Sequence, residues 1–131
     1  MASIFSKIIN GEIPCYKVAE NDEFLAFLDI MPLRLGHVLV IPKRETDYIF
    51  DIEDDELGRF MLFSKFVAKG IKQVVPCKKI GVTVIGLEVP HAHIHLVPID
   101  SVADMNFAAE KQQIPHETLA ELARKISAVL I

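Results

Sequence analysis

The chain has 131 residues, 51% hydrophobic and 24% charged, with 14 Lys plus Arg against 18 Asp plus Glu and a formal charge of −4. That size suits a single domain, 1–131, whose core needs no cross-links, and the composition excludes a disordered or low-complexity chain. An acidic balance does not suit nucleic-acid binding through bulk charge; two distant cysteines, no apolar leader and no run near the ~18–20 apolar residues of a membrane span predict a cytoplasmic protein without membrane contact.

Ile4, Phe5, Ile8 and Ile9 recur at helical spacing before Asn10-Gly11, which predicts a short first helix. Tyr16 to Ala19 and Phe24 to Asp29 read as strands around the polar turn Glu20-Asn21-Asp22-Glu23. His37 to Ile41 is a β-branched apolar run closed by Pro42, the pattern of a buried strand. A long helix is predicted from about Asp54 to Val75. Leu57, Phe60, Met61, Phe66, Val67, Ile71 and Val74 form its apolar face, its first turn is acidic and Pro76 stops it. Ile80 to Ile85, ending at Gly86, and His93 to Ile99 are two further strands. Pro115 to Leu130 is a closing amphipathic helix. Strands joined by hairpin-length links, with only one long helix among them, predict an α+β fold with a mainly antiparallel five-stranded sheet.

The chemistry is concentrated in Pro90-His91-Ala92-His93-Ile94-His95-Leu96-Val97-Pro98, which holds three of the five histidines. Alternate residues of a strand share a face and stand about 6.6–6.8 Å apart. His91, His93 and His95 would then form a row, with Ala92, Ile94 and Leu96 turned to an apolar interior. One reading is three surface or satisfied histidines. A second is a metal site, helped by Glu88, Asp100 or His37, although the outer histidines lie about 13 Å apart, awkward for one tetrahedral centre. A third is phosphate chemistry. Neutral imidazole can attack phosphorus without first losing a proton, and its neighbours can donate hydrogen bonds to phosphoryl oxygens or a proton to a leaving group.

His91-Ala92-His93-Ile94-His95-Leu96-Val97 resembles the histidine-triad (HIT) motif at every position, and the likeness is to the family's Hint-like branch. Ile4 to Pro14, Leu25 to Pro32 and Gly36 to Lys43 are similar to other segments of that family. The resemblance implies an enzyme without a cofactor or metal, acting at the α-phosphate of a nucleotide conjugate through a nucleotidyl-histidine intermediate. Purine nucleoside phosphoramidates are the substrate it suggests first. Dinucleotide polyphosphate hydrolysis, or regulatory nucleotide binding with little turnover, are the alternatives. It implies that His93 is the nucleophile, that His95 contacts the phosphate oxygens and that His91 bonds within the triad and aids the leaving group. His37 would orient the row, Asp29 would bind the ribose hydroxyls with Phe27 and Ile30 near the base, and Gly86, Glu88 and Val89 would border the phosphate pocket. It also implies a homodimer with joined sheets. Taken by themselves, Asp29 fits a turn former, His37 a satisfied core or turn histidine, Phe27 and Ile30 core packing, and Gly86 a bulge.

Three features depart from the family pattern. Ser3-Ile4-Phe5-Ser6 stands where many members have a zinc-binding Cys-x-x-Cys, so no structural zinc site is expected. Gly86-Leu87-Glu88-Val89 stands where many have Gly-Gln-Ser-Val; a carboxylate there would repel a dianionic product or favour a cationic leaving amine. The phosphate-side asparagine of the family has no counterpart near Ile80-Gly81.

Overall fold

A computed structural model of the chain describes residues 2–130. Its strands are β1 (Lys17–Glu20), β2 (Phe24–Leu28), β3 (Val38–Pro42), β4 (Lys79–Thr83) and β5 (Ile94–Ile99). They form one antiparallel sheet in the order β1-β2-β3-β5-β4. The helices are α1 (Ile4–Ile9), α2 (Asp54–Val74) and α3 (His116–Val129), with two short 3-10 turns at Ile49–Asp51 and Val102–Met105. This is the α+β arrangement expected, with its long central and C-terminal helices. The strand predicted to reach Ile85 stops at Thr83, and the two 3-10 turns are additions.

The central strands β2 and β3 are buried along their whole length because both faces of the sheet are covered. On one face, Phe24, Ala26, Val38, Val40, Ala92, Ile94 and Leu96 pack against Phe60, Val67 and Ile71 of α2 and Leu119 and Ile126 of α3. On the other, Leu25, Phe27, Leu39 and Ile41 meet Phe5, Ile8 and Ile9 of α1. Phe24 and Phe60 stack with centroids 5.3 Å apart. Ala92, Ile94 and Leu96 thus take the interior-facing positions that the alternation predicted.

Helix α2 rotates slightly from its predicted face. Phe60, Phe63, Ser64, Val67 and Ile71 are buried, whereas Met61 and Phe66 are exposed. The 60-63-67-71 set follows the helical repeat more closely than a set including Met61 and Phe66. Cys15 and Cys77 form no disulfide. No helix among the described residues is long and apolar enough to cross a membrane.

Candidate active site

β5 begins at Ile94, so His91 and His93 lie on the approach to the strand and only His95 is within it. Regular pairing with β3 starts at Ile94 opposite Val40, and the residues before it make other bonds: His91 N–H to Val89 O and Ala92 N–H to Thr46 O. The three rings still share the α1 face. The Phe5 ring lies 5.8 Å from His91 and 5.0 Å from His93, and the His93 and His95 centroids are 4.9 Å apart. In the sheet, His95 sits between Leu39 of β3 and Thr83 of β4.

The main chain assigns most of the protons in this cluster. Leu33 N–H donates to His37 Nδ1 at 3.2 Å, so the His37 proton is on Nε2. That Nε2–H donates to His95 Nδ1 at 3.0 Å, which leaves the His95 proton on Nε2. His93 Nδ1–H donates to the His91 carbonyl at 2.8 Å, which leaves a lone pair on His93 Nε2. His91 Nε2–H donates to Pro42 O at 2.7 Å, and its Nδ1 accepts from the Ser3 hydroxyl at 2.8 Å. A ring nitrogen with a lone pair therefore lies beside a ring carrying an N–H donor, the pairing that attack on a phosphoryl group requires.

Burial holds His37, His91 and His95 toward the neutral form. His37 is pushed down to about 4 by burial first, then by the charges of Lys111 and His93. His95 is pushed down to about 3 by burial, then by His37, His93 and Lys111. His91 is lowered by burial, opposed by the Pro42 carbonyl and by Glu45.

His37 is reached through Gly36, whose φ of +101° belongs to the left-handed region that glycine favours. It lies 3.8 Å from an Asp29 carboxylate oxygen, and the Asp29 and His37 backbones are bonded (Asp29 N–H to His37 O, 2.9 Å). Asp29 follows directly on β2, and its other carboxylate oxygen accepts from Met31 N–H at 2.9 Å, a turn of the kind its sequence position suggested. Burial raises its pKa, against the Met31 N–H and the charges of Lys111 and His93.

The remaining expected residues are less closely gathered. Phe27 is buried, 5.8 Å from Phe5, whereas Ile30 is exposed at the end of β2. Gly86 turns the chain with a φ of +73°, Val89 packs against the apolar residues beneath α1 that include Phe5 and Phe27, and Glu88 is exposed, with no ion pair among the described residues. Both His91 ring nitrogens are engaged away from the other histidines, so its bond within the triad is made by its carbonyl rather than its ring.

Two groups of residues were not foreseen. Ser3 and Ser6, singled out only as lacking cysteine, belong to a hydrogen-bonded cluster. Glu45 Oε1 accepts from Ser3 N–H at 2.7 Å and from the Ser6 hydroxyl at 2.6 Å, and Ser3 reaches His91. These bonds, that from Ser6 first, hold Glu45 at about 2. Phe107 and Lys111 come from a stretch with no helical or strand period, and Phe107 lies against His95.

A metal ion would find a carboxylate oxygen of Asp29 and ring nitrogens of His37 and His95 within 4.8 Å of one another. Ligation there would break the His37–His95 hydrogen bond. Asp100, weighed as a possible ligand, is held instead by Arg34 and by Lys78 N–H.

The HIT domain profile matches residues 10–102. The chain is 36% identical to an uncharacterized HIT-like protein of Borreliella burgdorferi over 95% of both chains. It is 34% identical to adenosine 5'-monophosphoramidase HNT1 of Saccharomyces cerevisiae, over 98% of this chain and 83% of that protein. A solved structure of a Hit-like protein from Bartonella henselae, described as involved in cell-cycle regulation and holding an unknown ligand, superposes with a TM-score of 0.83 at 34% identity. The match covers 96% of this chain and 95% of that one.

Proposed function

The chain belongs to the HIT family, and on that footing we propose that it hydrolyses nucleoside phosphoramidates, purine ones first, at the α-phosphate. His93 Nε2 attacks phosphorus, the phosphorus–nitrogen bond to the amine breaks, and its electron pair leaves on the nitrogen, which takes a proton from solvent. Water then attacks phosphorus, its oxygen passing to the nucleoside monophosphate and one proton returning to solvent, as the bond to His93 breaks and the neutral imidazole is restored. His95 Nε2–H donates to a phosphoryl oxygen, and His37 fixes that donor from behind. Asp29 binds the ribose hydroxyls, with Phe27 and Ile30 toward the base and Gly86, Glu88 and Val89 along the phosphate side. In this reading His91 is a positioning residue, because its ring is tied to Ser3 and Pro42 while its carbonyl holds His93.

The observation that carries the reading is the pair of bonds at His93 Nδ1 and His95 Nδ1, which leaves a nucleophile and a donor on neighbouring rings. The test is turnover of a fluorogenic adenosine phosphoramidate by the wild type and His93→Asn. We expect loss of turnover by at least ~10³-fold with AMP binding retained, and AMP trapped covalently on His93 of the wild type. Undiminished turnover by His93→Asn would overturn the nucleophile assignment. Binding with little turnover is the second reading, favoured by the Phe107 ring that covers His95; a negligible steady-state rate in the same assay would establish it.

A homodimer is part of the proposal. Strand β4 is a sheet edge. Val82 of β4 is exposed, and beyond that strand exposed Ile85 and Leu87 line, with Phe50 and Met61, an apolar groove of about 610 Å³; Leu62 and Phe66 of α2 are exposed as well. Such a surface calls for an apolar partner, and a second copy placed edge to edge would join the two sheets.

A further inference from the structure

After β5 the chain passes through the 3-10 turn at Val102–Met105, and residues 106–115 then lead to α3. This run is tied at two points to the loop between Asp29 and His37. At one end Arg34 bonds Asp104 at 2.6 Å and Asp100 at 3.3 Å, while its carbonyl accepts from His37 N–H at 3.0 Å. At the other, Gln112 N–H donates to Pro32 O at 3.1 Å.

Between the anchors, Phe107 stands edge-on to His95 with centroids 4.8 Å apart at 71°, and to His37 at 6.2 Å and 87°. Lys111 Nζ lies 5.8 Å from the Phe107 ring centre. Lys111 is half-buried and makes no salt bridge among the described residues, yet its charge is felt at Asp29, His37 and His95. His95 is only 8% exposed. A ring in van der Waals contact with His95 covers space that a phosphate bonded to the same imidazole would need.

We propose that residues 106–112 form a phosphate-responsive strap: a bound nucleoside monophosphate displaces Phe107 from His95, and Lys111, carried on the same segment, pairs with the phosphate as a specificity residue. This rests on the nucleotide reading of the histidine site and adds to it a cation that follows the phosphate in. The anchors at Pro32 and Arg34 sit on the loop that carries Asp29 and His37. Movement of the strap is thereby coupled to the groups assigned to the ribose and to His95. A phosphate-free nucleoside would engage neither Lys111 nor the Phe107 position.

The chain has no tryptophan, so Phe107→Trp supplies a single fluorophore at the strap. AMP, adenosine and inorganic phosphate are titrated into this variant, with calorimetry of AMP on the wild type in parallel. A saturable emission change with AMP and none with adenosine is expected. Lys111→Gln should weaken AMP by about tenfold, leave adenosine binding unchanged and be rescued by Lys111→Arg. Phe107→Ala, which has no ring to displace, should bind AMP several-fold more tightly. If AMP binds by calorimetry but the emission does not change and Phe107→Ala binds no better, the strap is static and the proposal falls while the nucleotide reading survives. Wild-type AMP affinity in Lys111→Gln overturns the role of Lys111. Absence of AMP binding to the wild type overturns both readings together.

Discussion

Lowering the pH from 7 to 5 should destabilise the protein by about 4 kcal/mol through two histidines alone. His37 and His95 are held at about 4 and about 3 in the fold, against 6.5 when unfolded. At pH 5 the unfolded side chains are almost wholly protonated while the folded ones stay mostly neutral. The unfolded state then binds more protons, and stability rises with pH across this window. Each histidine contributes about 2 kcal/mol at pH 5, a value set by the unfolded pKa and little affected by how far below 5 the folded one lies. His91, also lowered, acts in the same sense, and Asp29, raised by burial, opposes the loss at the acid end. For a chain of this length 4 kcal/mol corresponds to a fall in Tm on the order of 10–20 °C. Thermal melts followed by circular dichroism between pH 7 and 5 measure it, with the double variant His37→Gln, His95→Gln as control. A Tm that is flat over this range in the wild type, or equally steep in the control, would refute the claim that His37 and His95 are buried neutral.

Ser3→Ala should cost about 2–4 kcal/mol in chemical denaturation, because it removes the α1 cap to Ser6 N–H and strands the buried Nδ1 of His91. Gly36→Ala should cost about 1–3 kcal/mol and lower kcat, since the φ of +101° is strained for alanine and the new Cβ would lie 3.0 Å from Pro98 and Val75. If the proposed dimer forms, light scattering should give the wild type at twice 14.7 kDa and Leu62→Glu with Leu87→Glu as a monomer of 14.7 kDa. A wild-type monomer would remove the proposed assembly.

What could be read in the sequence depended on the range of the interaction. The apolar residues between the histidines identified one face of the approach to β5 as interior, because alternation is local. Only the family resemblance placed His37 behind the row, since its contact with His95 spans 58 residues and leaves no local pattern. The link from Ser3 to Glu45, 42 residues apart, was unreadable for the same reason. Phe107 went unnoticed because a lone aromatic in an aperiodic run resembles any loop residue. Met61 and Phe66 were placed in the core because their apolar character fits either a protein interior or a surface awaiting a partner.

The bonds around the histidines have an evolutionary corollary. A peptide N–H at Leu33 and peptide carbonyls at His91 and Pro42 decide which nitrogen of three imidazoles carries hydrogen. Peptide groups are otherwise indifferent to side-chain identity, so drift at Leu33 (to any residue but proline, which has no N–H) or at Pro42 leaves the tautomers untouched as long as the path of the chain persists. Reactivity of this kind is inherited with the backbone trace, and the surrounding residues stay free to diversify what the centre accepts.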